Sequence, residues 1–101
     1  MENFSRISIQ KAHEIMGLGD VTIVDIRDDH SFAQGHVPQA KSVNDGNIET
    51  FLEQTDKGIP LICYCYHGIS SQQAAAFFAD RGFKQVYSID GGWEEWNKAY
   101  G

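Results

Sequence analysis

Cys65 begins the stretch CYHGISSQQAAAF, in which a thiol is followed by a glycine-containing loop and an alanine-rich helix. The apolar run PLICYC ends at this cysteine, so Cys65 is expected at the end of a strand. The backbone N–H groups of residues 66–71 then lack strand or helix partners and can converge on one point at the start of the helix. Gly68 permits the curled backbone that this requires. The stretch therefore predicts a thiolate nucleophile with a lowered pKa at Cys65.

The two cysteines receive different interpretations. An inert, buried thiol is the alternative to a nucleophile at Cys65, and for Cys63, which lies inside the strand, packing is the favoured role. Their Cα atoms should be roughly 6.5 to 7 Å apart, at the limit of disulfide geometry, so free thiols are expected. His67 is interpreted as an exposed loop residue, with substrate contact or general-acid catalysis as the alternatives.

Three kinds of chemistry use a cysteine loop. A cysteine phosphatase needs an arginine six positions after the nucleophile, where this chain has Ser71. The next arginine, Arg81, is expected at the far end of the helix. A metal site at Cys63, Cys65 and His67 lacks the usual zinc spacing, so no metal is predicted. Sulfur transfer remains, because it requires one thiolate and a ring of N–H donors.

The elements that must position this loop alternate along the chain. Strands are predicted over residues 21–27, 40–43, 60–65 and 86–90, and helices over 9–19, 29–35, 47–58, 70–82 and 92–100. Ser8 is expected to cap the first helix, and Asp28 or Asp29 the second. Such alternation predicts one α/β domain over residues 1–101, with helices on both faces of a parallel sheet. Ligands of such sheets bind at the carboxyl ends of the strands, where Cys65 is expected.

Composition narrows the classes of function. The chain has 101 residues, 42% hydrophobic and 22% charged, with a formal net charge of -6. This charge argues against nucleic-acid or membrane-surface binding, and no apolar run approaches the ~18 residues of a membrane span. The N-terminus shows no secretory leader, so a water-soluble, cytoplasmic protein is expected. An anionic substrate would need a local positive site, and the sequence leaves open whether Arg27 or Lys41 contributes to one.

Three stretches resemble the rhodanese family in the expected order: VDIRDDHSFAQGHVPQA, CYHGISS and VYSIDGGWEEW. The resemblance covers essentially the whole chain and implies a three-layer domain with a five-stranded, mostly parallel sheet. It implies that Cys65 accepts sulfur as a persulfide and that Ser71 begins the helix. The residues between them would form an amide cradle around the sulfur: Tyr66, His67, Gly68, Ile69 and Ser70.

The resemblance also implies substrates. Thiosulfate would donate sulfur, and cyanide, small thiols or a reduced dithiol protein such as thioredoxin would accept it, without a cofactor. A carrier module without turnover, fed by a protein donor, is the alternative. Larger two-domain rhodaneses have cationic residues directly after the cysteine, whereas Tyr66 and His67 follow it here, so thiosulfate is expected to bind weakly.

The remaining matched positions are interpreted as structural. Arg27 is expected to pair with Asp25 or a nearby carboxylate at the strand end. Gly91 and Gly92 are expected to shape a turn after Asp90, and the tryptophans at positions 93 and 96 to bury one face of the last helix.

Overall fold

The computed structural model describes residues 3–101. Within them, five strands and five helices alternate along the chain. The strands are β1 (Ser5–Ile7), β2 (Thr22–Asp25), β3 (Lys41–Ser42), β4 (Leu61–Tyr64) and β5 (Val86–Ile89). The helices are α1 (Ile9–Leu18), α2 (Asp29–Gln34), α3 (Ile48–Gln54), α4 (Ser70–Asp80) and α5 (Gly92–Tyr100). Among these residues, no helix has the length and apolar character needed to cross a membrane.

The strands form one sheet in the order β1-β5-β4-β2-β3, and every neighbouring pair is parallel. Strand β4 occupies the centre, with Cys63 opposite Val24 of β2 and Ser88 of β5. Parallel neighbours bring all carboxyl ends to one edge of the sheet, so the residues after β4 lie beside those after β2 and β5. The predicted five-stranded α/β fold is confirmed.

Side chains alternate between the two faces of the central strands, and each face is covered by helices. One apolar cluster joins Leu61 and Cys63 of β4 to Phe51 of α3 and Phe78 of α4. The opposite cluster joins Ile62 and Tyr64 of β4 to α1 and α5, and it includes Ala12 and Trp96. The three-layer arrangement follows because both faces of β4 are apolar and need cover.

The ends of the elements follow local side-chain chemistry. The side chains of Ser8 and Asp28 accept hydrogen bonds from the N–H groups of Lys11 and Ser31, which caps α1 and α2 as predicted. Helix α3 ends at Gln54, earlier than the predicted 58. The pattern analysis missed β1, because this short edge strand has two exposed residues and no clear alternation.

Candidate active site

Cys65 directly follows the central strand β4, and residues 65–69 form the active-site loop that leads into α4. Helix α5 holds this loop from the other side: the N–H of Trp93 donates to the carbonyl of Cys65 (2.9 Å), and the N–H of Glu94 donates to that of Tyr66 (3.0 Å). The loop is therefore fixed to the ends of β4, α4 and α5. These contacts place the thiol at the carboxyl edge of the sheet.

The sulfur of Cys65 lies among hydrogen-bond donors. The N–H groups of Gly68 and Ser71 donate to Sγ at 3.1 and 3.3 Å, and Ser71 Oγ lies 3.5 Å away. Cys65 is only 7% exposed. Burial therefore disfavours the thiolate, but the hydroxyl and N–H of Ser71 and the N–H groups of Gly68 and His67 outweigh it and hold the pKa of Cys65 below its ordinary value.

The structure narrows the predicted amide cradle. Gly68 and Ser71 supply the short N–H hydrogen bonds to the sulfur. Helix α4 begins at Ser70, as the sequence pattern predicted and one residue before the start that the resemblance implied. Within residues 3–101, the backbone N–H groups of Tyr66, Ile69 and Ser70 donate no such short hydrogen bond to Sγ. The side chains of these three residues are exposed. Their side chains are therefore available to a donor or an acceptor molecule.

His67 is also exposed, and its Nδ1 lies 3.3 Å from Oε1 of Glu94 in α5. This contact with a carboxylate offsets the positive charge that a protonated His67 would present to an anion. The sequence left open whether Arg27 or Lys41 contributes to an anion-binding site. Lys41 is exposed on the edge strand β3, whereas Arg27 is buried.

Two glycines let the loop approach the turn between β5 and α5. Gly68 has φ 91°, and a Cβ there would lie 2.7 Å from the N of Gly91. Gly92 has φ 56°, and a Cβ there would collide with the carbonyl oxygens of Cys65 and Tyr66. Both positions therefore require glycine for backbone angle and for space. This close packing fixes the positions of the amides around the sulfur.

Replacing Gly92 by alanine should disturb the fold and the loop together. We expect Gly92→Ala to lower the free energy of unfolding by about 1–3 kcal/mol, because the new Cβ strains its own backbone and pushes on the loop carbonyls. Urea unfolding measures this loss. Gly17→Ala in α1 is the control: nothing lies within 4 Å of its Cβ, so that variant should be as stable as the original or more so. Equal stability of the two variants would contradict the clash.

Cys63 differs from Cys65 although it points to the same face of the sheet. Its thiol is fully buried and donates to the carbonyls of Ser71 (3.3 Å) and Tyr87 (3.5 Å). Burial, with a smaller effect of the neighbouring Cys65, raises the pKa of Cys63 well above its ordinary value. Cys63 therefore stays protonated and packs in the core. Both cysteines are free thiols.

The buried pair of Asp25 and Arg27 supports the same edge of the sheet. Arg27 Nη2 donates to Asp25 Oδ2 (2.7 Å) and to the carbonyl of Gly35 (2.7 Å). Asp25 Oδ2 also accepts from the hydroxyl of Tyr64 (2.6 Å), whose oxygen accepts from the N–H of Val37 (3.1 Å). Burial works against the charge of Arg27, but Asp25 outweighs it and holds the pKa of Arg27 above its ordinary value. The pair links β2 to α2 and β4, which is the structural role expected for Arg27.

The arginine that a phosphatase would need is missing from the active-site loop. Ser71 occupies the position where a phosphatase needs arginine, and Arg81 lies at the opposite end of α4, about 15 Å along its axis. Arg81 instead stacks on the ring of Phe77 at 4.5 Å. Within residues 3–101, no three His, Cys, Asp or Glu side chains are arranged to hold a metal ion.

Sequence reasoning missed Ser88. Its hydroxyl is fully buried in β5 and lies 2.8 Å from Ser71 Oγ, so it reaches Cys65 through one intervening hydroxyl. A serine inside the apolar strand VYSID was the available signal. Ser88 lies opposite Cys63, and this pairing, which depends on the register between β4 and β5, brings Ser88 close to Ser71.

These features define an α/β domain in which backbone N–H groups of a loop converge on the sulfur of a cysteine. A family model described as "Rhodanese-like domain" matches residues 8–99, and the chain belongs to this family. The "Thiosulfate sulfurtransferase GlpE" of Stutzerimonas stutzeri is 46% identical over 99% of this chain and 91% of its own length. That of Shewanella oneidensis is 42% identical over 98% of both chains. The crystal structure of a rhodanese-like domain protein from Staphylococcus aureus has the same fold, with TM-score 0.79, 23% identity, and coverage of 92% of this chain and 91% of the other.

Proposed function

We propose that this chain is a thiosulfate sulfurtransferase that carries sulfur as a persulfide on Cys65. The observation that carries the proposal is the pair of backbone N–H groups that donate to Sγ beside the buried hydroxyl of Ser71, an arrangement that can stabilise a thiolate. Relatives named thiosulfate sulfurtransferase, matched over nearly the full chain, support the substrate.

The reaction has two displacements at sulfur. The thiolate of Cys65 attacks the outer sulfur of thiosulfate, the S–S bond of thiosulfate breaks, and its electron pair leaves with sulfite. The product is the persulfide of Cys65. An acceptor nucleophile, either cyanide or a thiolate, then attacks the outer sulfur, and the electron pair of the persulfide bond returns to Cys65. No oxidant is consumed, and ping-pong kinetics follow because sulfite leaves before the acceptor reacts.

The chain's own groups act on the charge at Sγ in both steps. The N–H groups of Gly68 and Ser71 stabilise Sγ as the attacking thiolate in the first step and as the leaving thiolate in the second. They are held in place by the packing of the loop against Gly92, so little reorganisation is needed during the reaction.

Acceptors in the cell are proposed to be small thiols or a reduced dithiol protein such as thioredoxin, with cyanide as the assay substrate. Two free thiols fit a reducing compartment, and we propose the cytoplasm. The side chains that follow Cys65 are Tyr66 and His67, and the latter contacts Glu94. We therefore expect weak binding of the doubly charged thiosulfate.

The test is the intact mass of the protein after brief incubation with thiosulfate, followed by cyanide. We expect a gain of one sulfur atom, and then its loss with release of thiocyanate. The mass gain should be absent in Cys65→Ser, which leaves Cys63 as the remaining thiol. A sulfur atom that stays on the Cys65→Ser variant would contradict the assignment.

A persulfide carrier without turnover is the second candidate. The lack of cationic side chains directly after Cys65 favours this candidate, because it weakens the binding of a small dianion. A carrier would take sulfur from a protein persulfide and show negligible thiocyanate formation from thiosulfate and cyanide. Steady turnover with thiosulfate would exclude it.

A further inference from the structure

A chain of three buried groups runs from the reactive sulfur into strand β5. Cys65 Sγ lies 3.5 Å from Ser71 Oγ, which lies 2.8 Å from Ser88 Oγ. Ser71 and Ser88 are both fully buried, so their hydroxyl protons cannot be directed at bulk water. When Cys65 is a thiol, each of the three groups carries one proton, and two hydrogen-bond contacts join the groups.

The number of protons decides whether these three hydrogen-bonded groups favour the thiol or the thiolate of Cys65. With a thiol, three protons are available for two hydrogen-bond contacts, so one proton has no acceptor among these three groups. With a thiolate, two protons serve two contacts: Ser88 donates to Ser71, and Ser71 donates to the sulfur. A buried donor without an acceptor is unfavourable, so these three groups are best satisfied when Cys65 has lost its proton.

We propose that Ser88 is a positioning residue, whose hydroxyl donates to Ser71 Oγ and thereby directs the Ser71 proton at the sulfur whenever Cys65 is a thiolate. The direction of both hydrogen bonds reverses when the thiol forms, because the thiol then donates to Ser71. The contact between the two hydroxyls permits either direction. The inference rests on the proposed function, in which Sγ alternates between thiolate and persulfide.

The Ser71 hydroxyl is the largest of the favourable influences on the pKa of Cys65, which explains why its orientation matters. The titratable groups near the loop are Cys63 in β4, Tyr66 and His67 within the loop, Glu94 in α5 and Asp90 after β5. Cys63 stays protonated, His67 and Glu94 face each other, and Asp90 pairs with an exposed arginine. Removal of the Ser88 hydroxyl changes none of these side chains.

The experiment is the rate of alkylation of Cys65 by iodoacetamide as a function of pH, in the original protein and in Ser88→Ala. The midpoint should move to higher pH. On the acidic side of the midpoint the variant should react about fivefold more slowly, which corresponds to one hydrogen bond of about 1 kcal/mol. Above both midpoints it should react at least as fast as the original protein, because a more basic thiolate is more nucleophilic. General damage to the loop would slow alkylation at every pH.

Two further variants isolate the route through Ser71. Tyr87→Phe removes a hydroxyl from the neighbouring residue of β5, whose ring packs on the opposite face of the sheet, and should leave the profile unchanged. Ser71→Ala should raise the midpoint, and adding Ser88→Ala to it should produce no further shift. Coincident profiles of Ser88→Ala and the original protein, or full additivity in the double variant, would overturn the inference. Alkylation requires no sulfur donor, so this result is independent of the test of sulfur transfer.

Discussion

Cys65→Ser should lose at least about a thousandfold in kcat/KM for sulfur transfer from thiosulfate to cyanide. The serine hydroxyl would occupy nearly the same position, and the N–H groups of Gly68 and Ser71 would still point at it. A few hydrogen bonds cannot ionise a hydroxyl near neutral pH, whereas a thiol, with an ordinary pKa of about 8.5, needs only a modest lowering of its pKa. Thiocyanate formation under saturating and limiting thiosulfate measures the loss.

Cys63→Ala is the matched control for this variant. Cys63 lies two residues away on the same face, but its thiol is buried and protonated. We expect activity to survive, with a cost of about 1 kcal/mol in stability from the lost packing. Loss of turnover in Cys63→Ala together with retention in Cys65→Ser would reverse the roles assigned to the two cysteines.

Arg27→Met should lower the free energy of unfolding by about 3–5 kcal/mol. Asp25 is 0% exposed, and its carboxylate would lose the guanidinium that compensates its charge. The hydroxyl of Tyr64 would remain as a donor to Asp25, but a neutral donor does not replace a full charge. Urea unfolding followed by circular dichroism measures the difference.

An exposed pair of the same type provides the comparison. Arg6 Nε lies 2.8 Å from Asp90 Oδ1, within 0.1 Å of the 2.7 Å in the buried pair, but both of its side chains are exposed to water. Arg6→Met should therefore cost far less stability than Arg27→Met. The double variant Asp25→Asn/Arg27→Met removes both buried charges and should recover part of the loss. Similar costs for Arg6→Met and Arg27→Met would show that burial does not determine the strength of these pairs.

The features that the sequence predicted are those with local causes. The strand that leads to Cys65, Gly68 in the loop and the start of a helix at Ser70 all follow one another along the chain, so their patterns could be read directly. The pair of Asp25 and Arg27 is also local, because its members lie two positions apart at a strand end. The resemblance to one family supplied the number of strands, and both the family and the fold are confirmed.

The features that escaped prediction depend on contacts between distant segments. Ser88 reaches the sulfur only because β5 pairs with β4 in one particular register. Gly92 was interpreted as a turn former, whereas its missing side chain makes room for the carbonyls of the active-site loop. Strand β1 pairs with β5, more than eighty residues away, and its three residues are too few for a periodic pattern.

The packing of the active-site loop also determines how this protein can be engineered. Backbone groups hold the sulfur, whereas the side chains of Tyr66, His67, Ile69 and Ser70 are exposed. A library that randomises these four positions therefore explores new partners while the sulfur chemistry stays in place. Gly68 and Gly92 should be kept constant in such a library, because a side chain at either one displaces the backbone that every member depends on.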